Sequence, residues 1–304
     1  MIRRTLTALL LCLSASAFAL PFSSQHVLVY EEETGKILLE KNASTVVPIA
    51  SLTKVMTAMV VLDAGLDMDE PIRITETDVD TLKFSSSRVP VGVVLTRKSL
   101  LELSLMSSDN RAAAALGRTF PGGHAGFREA VRRKAGELGM RDTYIEEPTG
   151  LSPNNRSSAL DLLRMVAAAS AYPEISRMST GLGEMMDMNG RTVEYRNTNR
   201  LIGRDGWDIL LSKTGFTREA GRCLVMRFQS AGRHVIVVLL NASESAARML
   251  DAENVQRYLN GESPVAAAPR AAPQARAAKP AVVRVSNGKK PNKPQQQTKR
   301  RTST

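Results

Sequence analysis

Residues 207–240, WDILLSKTGFTREAGRCLVMRFQSAGRHVIVVLL, decide the fold. Trp207 to Leu211 is largely apolar, Cys223 to Phe228 follows a Gly-bounded turn, and Val235 to Leu240 is apolar without interruption. Short apolar runs of this kind, punctuated by Gly, read as strands. Parallel neighbours need crossovers of a dozen or more residues, so successive strands joined by short turns imply an antiparallel sheet. On the amino-terminal side, Thr192 to Arg196 alternates and extends the strand pattern. Much earlier, His26–Tyr30 and Lys36–Leu39 flank Glu33-Thr34-Gly35 and read as a hairpin. A last amphipathic segment, Glu244 to Leu259, reads as a helix.

Between the hairpin and the later strands the apolar period is helical. Leu52 to Ala64 reads as a buried helix starting at Ala50-Ser51, and Thr96 is a plausible N-cap for a helix running to Met106. A polar break at Ser107-Ser108-Asp109-Asn110 precedes alanine-rich helix; Phe127–Leu138 stops at Gly139, and Ser158 with Asp161 resembles a capping box. The order defines an α+β fold: an antiparallel sheet flanked by helices, with a helical block inserted between sheet strands.

The 304-residue chain has a formal net charge of +11, which suggests a polyanion partner until its distribution is read. The last 44 residues hold ten Lys and Arg against Glu262, and Arg3 and Arg4 supply the rest, so residues 20–260 are neutral. Residues 1–19 read as a secretory signal: Arg3 and Arg4, an apolar run from Leu6, and a small-x-small site at Ala17-Phe18-Ala19. That run is shorter than the roughly 20 residues a bilayer span needs. The expected product is an exported, periplasmic protein cleaved near Ala19, with no transmembrane segment in the mature chain. Removing Cys12 leaves Cys223 as the single thiol, so no internal disulfide is expected. From Gly261, six prolines interleave with Ala, Lys, Arg and Gln without an aromatic residue, so residues 261–304 are expected to be a disordered basic tail. The tail suits electrostatic contact with a polyanion, whereas the neutral residues 20–260 argue against a nucleic-acid-binding protein.

The chemistry is carried by three motifs in order: Ser51-Leu52-Thr53-Lys54, Ser108-Asp109-Asn110 and Lys213-Thr214-Gly215. A serine at a helix start with lysine three residues on puts hydroxyl and amine on one face, a turn apart. The positive helix end, burial and a second cation all disfavour the ammonium, so Lys54 is suited to act as a neutral general base for a Ser51 nucleophile. Ser108 is placed to relay a proton to a leaving amine, and Asn110 offers an amide to Lys54 or to the substrate backbone. Lys213 with Thr214 makes a carboxylate site beside a strand that an extended peptide can join. Gly215 lets the ligand backbone approach, and the N–H groups of Ser51 and Phe216 are candidate oxyanion donors. His26, His124 and His234 are too scattered for a Ser-His-Asp arrangement, and no motif calls for a metal or cofactor.

These three motifs are a known signature of penicillin-binding proteins and β-lactamases. Together with Glu147-Pro148-Thr149-Gly150-Leu151-Ser152, Arg196-Asn197-Thr198-Asn199 and Ala220-Gly221-Arg222-Cys223-Leu224-Val225, they make residues 24–260 resemble the low-molecular-mass penicillin-binding proteins. These are D-alanyl-D-alanine carboxypeptidases and endopeptidases. The resemblance implies a penicillin-sensitive serine DD-peptidase domain over residues 20–260 acting on peptidoglycan stem peptides through an acyl-enzyme, with β-lactams as covalent inhibitors. It is greatest to the endopeptidases, which cut D-alanyl-meso-diaminopimelyl cross-links. Carboxypeptidase trimming is the alternative, and a β-lactamase or a non-catalytic wall-binding module are further ones. Glu147-Pro148-Thr149-Gly150-Leu151 does not supply the Glu-x-x-Leu-Asn sequence expected of a β-lactamase, so rapid penicillin hydrolysis is not expected.

Overall fold

The computed structural model describes residues 22–265; the expected signal at residues 1–19, and the basic tail beyond Val265, lie outside the described residues. Strands β1 (His26–Glu31) and β2 (Lys36–Lys41) form the expected hairpin, with Gly35 supplying the positive φ its turn requires. A two-residue strand, β3 (Val47–Pro48), leads into one 3-10 turn over Ala50–Leu52 and then α1 (Thr53–Asp63). Every residue of α1 from Thr53 to Val61 is buried, as befits a helix that is apolar on nearly every side.

A small ladder of β4 (Pro71–Arg73) and β5 (Val94–Thr96) precedes α2 (Arg97–Met106). The Thr96 hydroxyl accepts from Ser99 N at 3.1 Å, the N-cap expected from sequence. Asp109 caps α3 (Asn110–Arg118) by accepting from Ala112 N. Helix α4 (Gly123–Glu137) begins four residues before the expected Phe127, since its N-cap is the left-handed Gly122 rather than a polar side chain. Strand β6 (Arg156–Ser157) pairs with β3, and α5 (Ala159–Ala169) starts where Ser158 accepts from Asp161 N. An unexpected helix, α6 (Pro173–Thr180), follows; Pro173 fits its first turn, but eight residues give too little apolar period to be read. Strand β7 (Gly183–Asp187) was also unexpected and pairs only with β8 (Thr192–Arg196), so the anticipated 192–196 strand belongs to a separate hairpin.

The decisive stretch forms β9 (Asp208–Thr217), β10 (Gly221–Ser230) and β11 (Arg233–Ala242), followed by α7 (Ser245–Leu259). Strand order is β2-β1-β11-β10-β9, antiparallel throughout, so the first hairpin pairs with the last strand and the helices between are inserted. Alternate residues serve two cores. Val27, Leu224, Phe228 and Val237 pack with Val255 and Leu259 of α7, whereas Leu28, Val225, Ile236 and Val238 join the core containing α1 and α5. Strand β9 runs through Lys213-Thr214-Gly215 instead of stopping at Leu211, and among the described residues its outer edge has no strand neighbour.

Residues 261–265, expected in the disordered tail, fold back on α7. The buried Asn254 donates to Val265 O (2.9 Å) and accepts from Val265 N (2.8 Å). A buried amide needs both partners, and this segment supplies them. Among the described residues, no helix is long and apolar enough to cross a membrane.

Phe228→Ala removes a fully buried ring between the sheet and α7. It is expected to lower stability by about 3–5 kcal/mol, read as a lower urea midpoint with unchanged slope.

Candidate active site

The 3-10 turn carries Ser51 at its middle, and Lys54 is the second residue of α1, so the two side chains share one face. Neither helical start has a side-chain cap, which leaves the Ser51 hydroxyl outside the N-cap role that a serine here would ordinarily fill. Lys54 is fully buried. Its Nζ donates to Ser51 Oγ (3.0 Å), Asn110 Oδ1 (2.7 Å) and Thr149 O (2.5 Å). Burial pulls its pKa down to about 8, against the opposing pull of Glu147, Asp109 and Asp80.

Asn110 opens α3 and bridges outward, its Nδ2 donating to Ser85 Oγ at 2.8 Å. Ser85 belongs to a loop pinned by Asp80, which accepts from the backbone N–H groups of Leu82, Lys83 and Ser85. Ser87 Oγ donates to Asp109 Oδ2 (2.7 Å), and Lys83 reaches across to pair with Glu219 in the β9–β10 turn. Ser108 sits between the ends of α2 and α3 with φ +60, a conformation that costs a non-glycine residue of order 1 kcal/mol or more. No hydrogen bond joins its hydroxyl to Ser51, Lys54 or Lys213.

Strand β9 passes the same turn. A Cβ on Gly215 would lie 3.1 Å from both Ile49 O and Ser51 N, and one on Gly150 would lie 2.0 Å from Ala50 O and 2.8 Å from Ser51 N. Two glycines therefore flank the Ser51 amide. Lys213 is buried and donates to Thr214 O (3.0 Å); burial, then Lys54 and Arg248, hold its pKa well below the usual lysine range. Thr214 Oγ1 donates to Thr198 Oγ1 at 2.7 Å. The ring of Phe216 is half exposed, with the Arg222 guanidinium 3.5 Å above its centroid. Cys223 behind it is buried, its thiol pushed up to about 11 by desolvation.

Of the residues expected from sequence, Ser51, Lys54 and Asn110 form one hydrogen-bonded cluster, and Lys213 to Phe216 line the adjacent strand. Sequence reasoning missed the Thr149 carbonyl, Ser85, Thr198 and Arg248. A backbone acceptor leaves no residue-type signal. Ser85 lies in a stretch without periodicity, and Arg248, buried on α7 with its Nη1 donating to Cys223 O, reads as an ordinary helix residue. Thr198 lay within a block noticed only for its resemblance.

A serine and a buried lysine joined by a hydrogen bond beside an edge strand are the arrangement of an active-site-serine enzyme, and comparison with known proteins shows which class of serine hydrolase this chain belongs to. The profile of the D-alanyl-D-alanine carboxypeptidase family matches residues 14–244. A D-alanyl-D-alanine endopeptidase of Pseudomonas aeruginosa is 44% identical over 239 residues, covering 78% of this chain and 77% of the relative. One from Escherichia coli is 40% identical over the same span and shares. A solved penicillin-binding protein of Listeria monocytogenes with cefotaxime bound superposes with a TM-score of 0.71 at 30% identity, covering 80% of this chain and 99% of that one. The chain belongs to the D-alanyl-D-alanine carboxypeptidase family of serine peptidases.

Gly150→Ala adds a methyl group against the backbone that carries Ser51, at a position with φ +85. Acylation by benzylpenicillin is expected to slow about 10²-fold; a wild-type rate in stopped-flow measurements would contradict the close packing.

Proposed function

We propose that Ser51 is the nucleophile of a DD-peptidase that cuts D-alanyl bonds in peptidoglycan, with Lys54 as its base. The observation that carries this reading is the set of partners on Lys54 Nζ. A neutral amine has two N–H groups and one lone pair. Asn110 Oδ1 and Thr149 O accept the two N–H groups, which leaves the lone pair facing the Ser51 hydroxyl. With a pKa of about 8, roughly one amine in ten is neutral at pH 7, and the fraction rises through pH 8.

Ser51 Oγ attacks the D-alanyl carbonyl carbon while its proton passes to Lys54. The oxyanion accepts from the N–H groups of Ser51 and Phe216, each donor contributing about 3 kcal/mol. The C–N bond then breaks as Ser108 relays a proton to the leaving amine, and water hydrolyses the ester. The substrate carboxylate lies at Lys213 and Thr214; its arrival restores the charge that burial disfavours on Lys213 and turns the Thr214 hydroxyl from Thr198 toward the ligand. Strand β9, the last strand of its sheet, offers its outer edge beyond Ser212, whose amide is taken by Ser179 Oγ, to the peptide backbone.

The cross-link is the favoured bond. The relatives at 44% and 40% identity are named endopeptidases, whereas a Bacillus subtilis relative named a carboxypeptidase is 30% identical. Slow release of penicillin follows from Glu147, whose carboxylate is occupied by backbone donors rather than free to activate water. In this reading residues 1–19 direct export to the periplasm, residues 20–260 are the catalytic unit, and the basic tail from residue 261 provides polyanion contact.

Fluorescent penicillin should label the wild type at Ser51 and leave Ser51→Ala unlabelled. Chromatography of purified cross-linked muropeptides should show dimers converted to monomers. Undiminished labelling of Ser51→Ala would refute the nucleophile, and loss of a terminal D-Ala with dimers intact would refute the cross-link preference.

A further inference from the structure

Glu147 is placed beneath the catalytic turn with no part in the steps above. Its Oε2 accepts from Thr149 N (2.6 Å) and Thr149 Oγ1 (2.6 Å), and its Oε1 from Gly150 N (2.7 Å), Ser152 N (3.2 Å) and Asn155 Nδ2 (3.1 Å). One carboxylate thus folds residues 147–152 into a tight loop. The loop is fastened to α1 and to the residue before its 3-10 turn. Asn155, fully buried, also donates to Thr53 Oγ1 (3.1 Å) and accepts from Ile49 N through its carbonyl (3.0 Å), while Thr57 Oγ1 donates to Pro148 O (2.8 Å). The outcome is that Thr149 O meets Lys54 Nζ at 2.5 Å and Gly150 packs against Ala50 O.

We infer that Glu147 is a positioning residue for Lys54, holding the Thr149 carbonyl against the amine and keeping a fixed negative charge beside it. The inference rests on Lys54 being the base. Two functions are combined in one side chain. The hydrogen bonds orient the amine so that its lone pair meets Ser51, and the charge prevents burial from lowering the amine's basicity until it no longer draws the serine proton. Glu147 is the largest influence raising the Lys54 pKa, ahead of Asp109 at the start of α3 and Asp80 in the loop carrying Ser85. The neighbouring cations are Lys213 on β9 and Arg248 of α7; the charges of Lys54 and Arg248 both disfavour the one on Lys213. A carboxylate with backbone donors on both oxygens is held in one place.

The test is the pH dependence of acylation by benzylpenicillin. In the wild type the rate should rise through a midpoint near 8; if no such limb exists, the base assignment fails, and this inference falls with it for a visible reason. In Glu147→Gln the lost anion disfavours the ammonium, so the midpoint should move to lower pH by roughly one unit. Glu147→Asp keeps the charge on a shorter arm, so its midpoint should stay while the plateau rate falls. A wild-type limb that does not move in Glu147→Gln would reduce Glu147 to a loop brace and overturn the inference. So would an equal shift in both variants. Should the Gln variant fail to unfold cooperatively on heating, the Asp variant decides: a displaced midpoint there overturns the proposal, and an unmoved one with a reduced plateau supports it.

Discussion

An amine enclosed without a carboxylate in direct contact is the constraint around which this protein is built. Lys54 meets only neutral oxygens, from a serine, an asparagine and a backbone carbonyl, so the fold solvates its positive charge less well than water does. The fall from 10.5 to about 8 corresponds to roughly 3 kcal/mol against the protonated form. The sign matters. Because the folded pKa lies below the unfolded one, the penalty is fully present below pH 8 and fades as pH rises toward 10.5, so this group makes the fold more stable with increasing pH. Basicity suited to neutral pH is therefore obtained by destabilising the native state, and the two apolar cores on either side of the sheet offset it.

The same constraint explains the placement of backbone around the serine. Gly150 and Gly215 both approach the Ser51 turn, one from the loop after α4 and one from the edge strand. Ala50, immediately before Ser51, and Ser108, the first residue of its own motif, adopt positive φ without being glycines. Such strain persists only where surrounding packing over-determines it. Here α1, buried from Thr53 to Val61, and the hydrogen-bonded loop 147–152 provide that packing.

The architecture was legible where burial imposes a period. The hairpin, α1, α2, α5 and the last two strands stand where apolar spacing and capping residues put them. Short elements escaped: α6 and β7 are too brief for a period to emerge, and α4 starts on a glycine instead of a polar cap. Ending β9 at Leu211 was an error with a clear cause, because Lys213 and Thr214 look like loop residues until the helical block covers them. Side chains of the site announced themselves through three short motifs. What stayed hidden were acceptors and supports: the Thr149 carbonyl, Thr198 under Thr214, and Glu147, which sequence presents as part of a resembling block and a departure from a β-lactamase pattern but without a role.

Direct titration of the Lys54 amine is the decisive measurement. In protein labelled with 13Cε,15Nζ-lysine, the Lys54 resonance is assigned by its loss in Lys54→Ala and followed with pH. A midpoint near 8 is the result this account requires. An amine that keeps its proton to the ordinary lysine range, near 10.5, would contradict it, because Ser51 would then have no base within reach.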